Sequence, residues 1–327
     1  MKTQLRGRDF ISLLDFSREE IETILETAFD LKKKMARREP HPLLAGKNLG
    51  MLFCNPSTRT RVSFETGMSQ LGGHAQFYDP AVLAMRHHEA WQDTARVMSR
   101  YLDGLMLRIY GLERYGMARD IMNVVADNAT IPVINGVDDK EHPCQVMADV
   151  MTIIEKFGPD YRNKKLALVW TTSARDKSPG VPHDLAIMAG LLGMKLTFAY
   201  PDERYDLDEE FMDPARKYCE RSGGRIEIVH DFNEAVKGSD IIYTKTWIGL
   251  KMMEEENASV RASHKDWCLA KKHFDIANPG AMFMHALPVE RNQEVMDEVV
   301  DGPMSIIYDQ AENRLHAQKA VMALIMG

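Results

Sequence analysis

One short segment of the sequence concentrates hydroxyl and guanidinium groups of the kind that bind phosphate. Ser57–Arg61 reads S-T-R-T-R, and apolar residues at helical spacing follow it at Phe64, Met68 and Leu71. Ser57 is therefore predicted to be the N-cap of a helix, where free backbone N–H groups and the helix dipole favour an anion. A capped helix with exposed arginines is the alternative, but it explains one arginine more readily than two.

A histidine and an amide are spaced to act on one point of a ligand. The tetrapeptide H-P-C-Q, residues 142–145, has proline at the first position of a predicted helix, where proline is favoured. His142 is then the cap, and Gln145 lies one turn along on the same side. A group that can donate a proton or polarise a bond and an amide would therefore face the same point. A simple capping histidine fits these four residues about equally well.

Three further segments carry similar groups. Arg108 follows a short apolar run, and ligands of open α/β sheets bind at such strand ends, although an isolated arginine there also fits a surface position. His285–Pro288 follows another buried run, and its backbone carbonyls can accept hydrogen bonds from an amide. Glu312–His316 opens the last helical pattern, where Arg314 can face an anion.

The elements that must position these groups follow a repeated strand-helix order. Short apolar runs recur, and stretches of helical period lie between most of them. This alternation is typical of α/β proteins whose parallel sheets are covered by helices on both faces. It predicts two doubly wound parallel sheets of ten strands in total: Leu49–Cys54, Ala75–Tyr78, Leu105–Ile109, Ile131–Ile134, Leu166–Trp170, Leu196–Tyr200, Ile226–Val229, Ile241–Tyr243, Met282–Met284 and Ile306–Tyr308.

The domain boundary is predicted near residue 150. A helix from Pro143 to about Phe157, ended by Gly-Pro, is the natural bridge between two halves. We therefore assign residues 1–150 to the first domain and residues 151–310 to the second. The last helix, residues 311–327, is expected to cross back to the first domain.

Composition excludes several classes of protein. The 327 residues include 41 lysines and arginines against 48 aspartates and glutamates, and a net charge of −7 argues against binding nucleic acids or membranes through bulk positive charge. The four cysteines form no C-x-x-C pair, which predicts a reduced, cytoplasmic protein without zinc. No apolar run approaches the roughly 20 residues of a membrane span. Anionic ligands must then be held by a local pocket.

Together, these segments resemble the aspartate/ornithine carbamoyltransferase family. The motifs S-T-R-T-R, H-P-C-Q, H-x-L-P and E-N-R-L-H occur in the family's order and at its spacing, over nearly the whole chain. The resemblance implies one α/β domain for carbamoyl phosphate and one for an amine acceptor of amino-acid metabolism, as in arginine biosynthesis. It also implies a homotrimer with shared active sites and a reaction without metal or cofactor.

The resemblance further implies a role for each candidate residue. The residues that would hold the phosphate are Ser57, Thr58, Arg59, Thr60 and Arg108. Those that would polarise the carbonyl oxygen are Arg108, His142 and Thr60. The carbamoyl nitrogen would be held by Gln145 and by the backbone of Ala286 and Leu287, with Arg314 completing the pocket. A loop with Arg86, His87 and His88 would reach a neighbouring subunit's site, while Arg61 is expected to be structural.

The segment expected to contact the acceptor departs from ordinary ornithine carbamoyltransferases. Where they have the pattern D-x-x-x-S-M-G, this chain reads Y-T-K-T-W-I-G over residues 243–249, so an expected carboxylate is replaced by a lysine, Lys245. An aspartate there would pair with the free α-ammonium of ornithine. Lys245 therefore favours an acceptor that presents a carboxylate or whose α-amine is blocked. A buried salt bridge is the alternative interpretation of Lys245, and packing is the favoured role of Trp247.

Other features resemble the knotted branch of the family, which includes N-acetylornithine and N-succinylornithine carbamoyltransferases and members without a known acceptor. They are the long, proline-rich connection over residues 171–183, the pattern Y-x-K-x-W, alanine in H-A-L-P, and the ending A-E-N-R-L-H-x-Q-K-A. His183 and Asp184, where that connection enters a helix, are acceptor-side candidates, with helix capping as the alternative. Glu290 and Arg291 are further candidates, and at least one of them is expected to be solvated surface.

The acceptor is left open among ornithine, an N-acylated ornithine and a less familiar amino or ureido compound. Two other functional classes compete with carbamoyl transfer. A nicotinamide-dependent oxidoreductase would fit two Rossmann-like halves, but no G-x-G-x-x-G follows a predicted strand. A catalytically idle family member could bind an anion and regulate a partner. The intact S-T-R-T and H-P-C-Q motifs argue against it.

Overall fold

The computed structural model describes residues 4–83, 89–175 and 177–327. The chain divides into two units, residues 1–151 with 312–327 and residues 152–311. The strands are β1 Asn48–Phe53, β2 His74–Tyr78, β3 Gly104–Arg108, β4 Val133–Val137, β5 Lys165–Trp170, β6 Lys195–Ala199, β7 Arg225–Val229, β8 Ile241–Lys245 and β9 Met282–Met284. The helices are α1 Arg18–Ala36, α2 Thr58–Gln70, α3 Trp91–Met98, α4 Met117–Asn128, α5 Pro143–Phe157, α6 Gly180–Leu192, α7 Glu209–Ser222, α8 Phe232–Val236, α9 Glu254–Ser263, α10 Asp297–Val300 and α11 Ile307–Met326.

The first unit is built on a four-stranded parallel sheet of order β2-β1-β3-β4. The inner strands β1 and β3 are buried almost throughout, as expected for parallel strands covered on both faces. The edge strand β2 is mostly accessible to solvent. Phe53 pairs in register with Arg108, so the segment after β1 and the end of β3 lie side by side. This register brings the S-T-R-T-R turn next to Arg108.

The second unit contains a five-stranded parallel sheet of order β7-β6-β5-β8-β9. Trp170 of β5 pairs with Lys245 of β8, and Tyr243 of β8 pairs with Met284 of β9. The segments that follow these three strands therefore leave the same edge of the sheet. In parallel sheets this carboxyl edge is where ligands bind.

The predicted fold class is confirmed, but two local predictions are wrong. Ile306–Tyr308 is not a tenth strand, because α11 begins at Ile307 and only an isolated bridge between Phe283 and Ser305 extends the sheet there. The connection after β5 ends at residue 179 rather than 183. Pro182 and His183 lie in the first turn of α6, where proline costs no helical hydrogen bond.

Among the helices of the described ranges, not one combines the length and the apolar character that a membrane-spanning segment needs.

Candidate active site

The N-terminus of α2 has the form predicted from the S-T-R-T-R motif. Ser57 is the N-cap, and its hydroxyl accepts a hydrogen bond from the backbone N–H of Thr60 at 3.2 Å. The other N–H groups of the first turn and the positive end of the helix dipole favour an anion here. Arg61 pairs with Glu65 at 2.9 Å and lies over the ring of Phe77 at 3.9 Å, which are structural contacts.

Arg314 connects the beginning of α2 with α5. Its guanidinium donates to Oε1 of Gln145 at 2.6 Å and to Oγ1 of Thr60 at 3.3 Å. Gln145 in turn donates from Nε2 to Asp149 at 2.8 Å. These contacts fix the amide of Gln145 with its oxygen toward Arg314, and they bring residues from α2, α5 and α11 to one point of the first unit.

Arg108, the last residue of β3, is held by the segment after β1. Its Nε donates to the backbone oxygen of Asn55 at 3.2 Å, and Nη2 donates to the hydroxyl of Tyr110 at 3.2 Å. The side chain of Asn55 also accepts from the backbone N–H of Tyr110 at 2.9 Å. Arg108 is therefore fixed in place by neutral partners and keeps its positive charge uncompensated by these contacts.

Arg59, Arg108 and Arg314 form a guanidinium cluster in the first unit. Burial lowers the pKa of all three groups, that of Arg314 to about 10. The charge of Arg108 further lowers the pKa values of Arg59 and Arg314, while Asp149 opposes this effect at Arg314. A bound dianion would remove this repulsion between like charges. The guanidinium cluster at a helix N-terminus is therefore chemically suited to a phosphate group.

His142 immediately precedes α5 and follows a buried ionic network. Its backbone oxygen accepts from the N–H of Gln145 at 2.9 Å, which starts the helix. Arg119 binds Asp138 at 2.5 Å and Glu141 at 2.7 Å, with both carboxylates fully buried. Asp138 also accepts from the N–H of Glu141 at 2.6 Å. This network holds the β4–α5 turn from which His142 projects.

A second group of polar side chains lies at the carboxyl edge of the sheet in the second unit. We call it the strand-end cluster, and its members are Lys177, Lys245, Thr246, His285 and Glu294. Glu294 is fully buried and contacts Lys177 Nζ at 2.7 Å, Thr246 Oγ1 at 2.8 Å and His285 Nε2 at 3.5 Å. Burial opposes its ionisation, but the contacts with His285 and Lys177 outweigh this and hold the pKa of Glu294 well below its ordinary value.

Lys245 lies at the end of β8 beside this carboxylate but contacts a different group. Its Nζ donates to the backbone oxygen of Thr246 at 3.0 Å, whereas Lys177 forms the ion pair with Glu294. Burial, followed by the charge of Lys177, lowers the pKa of Lys245 to about 7, while Glu294 works in the opposite direction. Burial also lowers the pKa of His285. The cluster thus contains two amines and one carboxylate.

The segments around Pro288 are also tied to this edge. The N–H of Leu287 donates to Nδ1 of His285 at 2.8 Å, so the backbone of Ala286 and Leu287 is fixed in the second unit. Glu290 accepts from the N–H of Ala174 at 2.7 Å and lies 3.7 Å from Arg175. Of the two candidates Glu290 and Arg291, Arg291 is the solvated one, because it binds Asp297 and Asp301 at the surface.

The described contacts of His183 favour packing over ligand binding. Its Nε2 accepts from the backbone N–H of Asp208 at 3.1 Å, and its ring stacks on Phe211 at 4.5 Å. The cap position of α6 is residue 179, so neither His183 nor Asp184 caps the helix. Both side chains are fully buried within α6. Trp247 is 1% exposed and donates to the backbone of Tyr205 at 3.0 Å, as expected for a packing residue.

Several residues of these sites carried no recognisable signal in the sequence. Lys177 and Glu294 meet only because the segments after β5 and β9 leave the same sheet edge, and Asn55 and Tyr110 meet through the β1–β3 register. Strand order would have been needed to find them. The predicted neighbouring-subunit residues Arg86 and His87 lie outside the described residues.

Known protein families and proteins match the chain over almost its whole length. Residues 8–155 match the family described as aspartate/ornithine carbamoyltransferase, carbamoyl-P binding domain. Residues 162–325 match the Asp/Orn binding domain of the same family. Anabolic ornithine carbamoyltransferase of Pyrococcus furiosus is 44% identical over 327 residues, covering 100% of this chain and 99% of its own. Ornithine carbamoyltransferase of Symbiobacterium thermophilum is also 44% identical, with 99% and 100% covered.

Solved structures agree with these sequence matches. The ornithine carbamoyltransferase from Pyrococcus furiosus superposes with a TM-score of 0.89 at 44% identity, covering 99% of both chains. An acetylornithine transcarbamylase complexed with acetylcitrulline superposes with a TM-score of 0.90 at 34% identity, covering 98% of this chain and 99% of that one. Neither the oxidoreductase nor the regulatory alternative finds support in these matches.

Proposed function

The chain belongs to the aspartate/ornithine carbamoyltransferase family, and from this premise we propose that it transfers the carbamoyl group of carbamoyl phosphate to the terminal amine of an ornithine-type acceptor. The observation that carries the proposal is the guanidinium cluster of Arg59, Arg108 and Arg314 at the N-terminus of α2. Its excess positive charge suits the phosphate of carbamoyl phosphate. In this site Ser57, Thr58, Arg59, Thr60 and Arg108 bind the phosphate oxygens.

The reaction is an attack of the acceptor nitrogen on the carbonyl carbon of carbamoyl phosphate. Negative charge develops on the carbonyl oxygen, the bond to the phosphate oxygen breaks, and its electron pair leaves with the phosphate. Arg108, His142 and Thr60 stabilise the developing charge, and one such preorganised donor contributes ~3–4 kcal/mol in comparable sites. The acceptor ammonium, with an ordinary pKa of ~10.4, must first lose a proton, which the departing phosphate can take.

Gln145 orients the carbamoyl group. Its Nε2 is occupied by Asp149 and its Oε1 accepts from Arg314 through one of two lone pairs. The second lone pair is then the acceptor for the NH₂ of carbamoyl phosphate. Arg314 thus supplies positive charge and also keeps the Gln145 amide from rotating into the wrong orientation.

The acceptor that fits the second unit is an ornithine whose α-amine is acylated. A free α-ammonium needs a carboxylate partner, but Glu294 is paired with Lys177, and the neighbouring Lys245 is itself an amine that is cationic below its pKa of about 7. Ornithine itself is the second candidate, because relatives that are 44% identical bear its name. A less familiar amino or ureido compound is the remaining candidate.

Release of inorganic phosphate from carbamoyl phosphate, measured with a panel of amines, tests this proposal. The panel comprises ornithine, N-acetylornithine, N-succinylornithine, putrescine, lysine and aspartate. We expect the highest kcat/KM with an N-acylated ornithine. A clear preference for ornithine would overturn the acceptor assignment alone. No amine-dependent release, together with no calorimetric binding of carbamoyl phosphate, would overturn the proposed function.

We also propose that the protein forms a homotrimer. In this homotrimer, Arg86 and His87 would contribute to a neighbouring subunit's site. Sedimentation velocity should then give about three times the mass of one 37.2 kDa chain. A monomer with full activity would contradict this part.

A further inference from the structure

Gln318 of α11 accepts a short hydrogen bond from Arg314. The bond from Nη2 of Arg314 to the amide oxygen of Gln318 is 2.8 Å long, whereas the bond from the same nitrogen to Oγ1 of Thr60 is 3.3 Å long. Nη1 donates to Gln145, and among the described residues the buried Nε of Arg314 finds no hydrogen-bond partner. The orientation of the guanidinium therefore depends on Gln145 at one nitrogen and mainly on Gln318 at the other.

The amide of Gln318 is itself held in one orientation. Its nitrogen donates to the hydroxyl of Ser63 in α2 and to the backbone oxygen of Arg314, the latter at 3.0 Å. Both amide protons are thus used, and the oxygen is the group that faces the guanidinium. Gln318 is fully buried, so bulk water does not compete for these contacts. The side chain is therefore a fixed support behind Arg314.

Ser63 connects this support to the anion site. Its hydroxyl donates to the backbone oxygen of Arg59 at 2.6 Å and lies 3.1 Å from that of Thr60. These two residues belong to the first turn of α2, next to the N-cap at Ser57. A continuous path of hydrogen bonds therefore joins Arg314 to the helix turn that is suited to phosphate.

The helices α2 and α11 are also joined away from this site. Lys319 donates at 2.8 Å to Oε1 of Gln70, the last residue of α2. Between the two ends, a Cβ atom on Gly67 would lie 2.9 Å from Met322 and 3.2 Å from Lys319, so the helices approach closely there. The helix pair thus has a polar contact at each end, and the one made by Gln318 is the one that reaches the guanidinium cluster.

We propose that Gln318 is a positioning residue for carbamoyl phosphate: it orients Arg314, which in turn holds Gln145 ready for the carbamoyl group. Gln318 acts through Arg314 and does not itself touch the substrate. This inference rests on the proposed function, because it concerns the site for carbamoyl phosphate. Its effect should fall on recognition of the carbamoyl group, since inorganic phosphate has no such group and depends on charge and on the first turn of α2.

Carbamoyl phosphate and inorganic phosphate together measure this effect. Calorimetry gives a Kd for each, and the ratio of the two reports how well the protein recognises the carbamoyl group. Gln318→Met removes the hydrogen bonds of the amide at similar volume but leaves the charge of Arg314. The Kd of carbamoyl phosphate should rise about tenfold, as for the loss of one hydrogen bond to a charged group, and that of inorganic phosphate should change by less than about twofold.

Gln318→Glu provides the complementary change. Its carboxylate still accepts from Arg314, so the orientation is kept, but its negative charge opposes a bound anion. The Kd values of both ligands should therefore rise by a similar factor, and their ratio should stay within about twofold of that of the unmodified protein. A loss of preference for carbamoyl phosphate as large as in Gln318→Met would overturn the inference, because holding Arg314 would then not preserve recognition.

Two further variants separate positioning from a structural role. Gln70→Met removes the contact with Lys319 at the other end of the same helix pair, and it should leave both Kd values within about twofold. Arg314→Met/Gln318→Met should bind carbamoyl phosphate as Arg314→Met does, because a residue that acts through Arg314 has no further effect once that side chain is gone. Additional weakening in the double variant, or an equal loss in Gln70→Met, would show that Gln318 only stabilises the helix pair.

Urea unfolding of each variant identifies losses of affinity that come from unfolding. Should Gln318→Met not fold, Gln318→Asn replaces it, because the shorter amide cannot span from Ser63 to Arg314 and the same change of ratio is expected. If the unmodified protein binds neither ligand and releases no phosphate with any amine, the proposed function fails. If it binds both ligands and their ratio is the same in the variant, only the present inference fails.

Discussion

Arg314 of α11 donates a hydrogen bond of 2.6 Å to Oε1 of Gln145 in α5, 169 residues earlier in the chain. The same guanidinium reaches Thr60 at 3.3 Å, next to the N-cap of α2. The last helix therefore completes an anion site whose other parts come from the first half of the sequence. Residues 312–327 belong to the first unit for the same reason.

Replacing Arg314 should weaken binding of carbamoyl phosphate. Arg314→Met removes one charge from the guanidinium cluster and releases the amide of Gln145. Loss of a charged hydrogen bond costs about 1.5–3 kcal/mol, so Kd measured by calorimetry should rise roughly 10- to 150-fold. The matched control is Arg61→Met in α2, whose side chain binds Glu65 and Phe77. Equal losses in both variants would show that general charge, and not this contact, controls affinity.

Changing Lys245 should affect the acceptor but not carbamoyl phosphate. Lys245→Asp introduces the carboxylate expected to bind a free α-ammonium, so kcat/KM for N-acylated ornithines should fall by at least about tenfold while ornithine gains relative to them. Phosphate release with both acceptors provides the measurement, and calorimetry provides the affinity for carbamoyl phosphate. If affinity and acceptor use decline together, Lys245 is a structural residue.

The pH dependence of acceptor binding should follow Lys245. Its pKa of about 7 means that the cationic form is lost as pH rises through neutrality. KM for N-acetylornithine should therefore increase above about pH 7, well below the pH at which an ordinary lysine loses its proton. In Lys245→Arg, which stays protonated throughout, this increase should be absent from the KM profile. An unchanged profile in that variant would assign the pH dependence to another group.

Removing Arg119 should destabilise the first unit strongly. Arg119→Met leaves Asp138 and Glu141 buried without their cation, and breaking such a pair typically costs 3–5 kcal/mol. Urea unfolding measures this loss. Arg114→Met is the control, because Arg114 pairs with Asp120 at the surface and should change stability by less than about 1 kcal/mol. Comparable stability of the two variants would contradict a structural role for the buried network.

Stability should rise with pH through the titration of Lys319. Its buried amine contacts Gln70 at 2.8 Å and His41 at 3.1 Å, and burial lowers its pKa from 10.5 to about 8. Between these values the unfolded chain holds a proton that the folded chain lacks, so stability increases with pH by up to about 3 kcal/mol. Urea unfolding from pH 7.5 to 10.5 should show a smaller slope for Lys319→Met but not for Lys33→Met, whose side chain is exposed. Identical slopes in both would refute the assignment.

Local sequence was sufficient for the features that depend on neighbouring residues. The N-cap at Ser57 follows from a hydroxyl before a helical pattern, and the bounds Pro143–Phe157 of α5 follow from proline at one end and Gly-Pro at the other. The α/β class follows from the alternation of apolar runs and helical periods. Local preference failed at Ile306–Tyr308, because an apolar run of three residues is compatible with both a strand and the start of a helix.

Tertiary structure alone decided which distant groups meet. The pairing of Lys177 with Glu294 spans 117 residues, and it depends on the order of β5, β8 and β9 in the sheet. The shift of the Lys245 pKa has the same origin, since burial and a neighbouring lysine lower it. Residue type and spacing thus determined the chemistry available to this protein. Strand order and burial decided which charges are neutralised, because these depend on long-range packing that local sequence patterns do not encode.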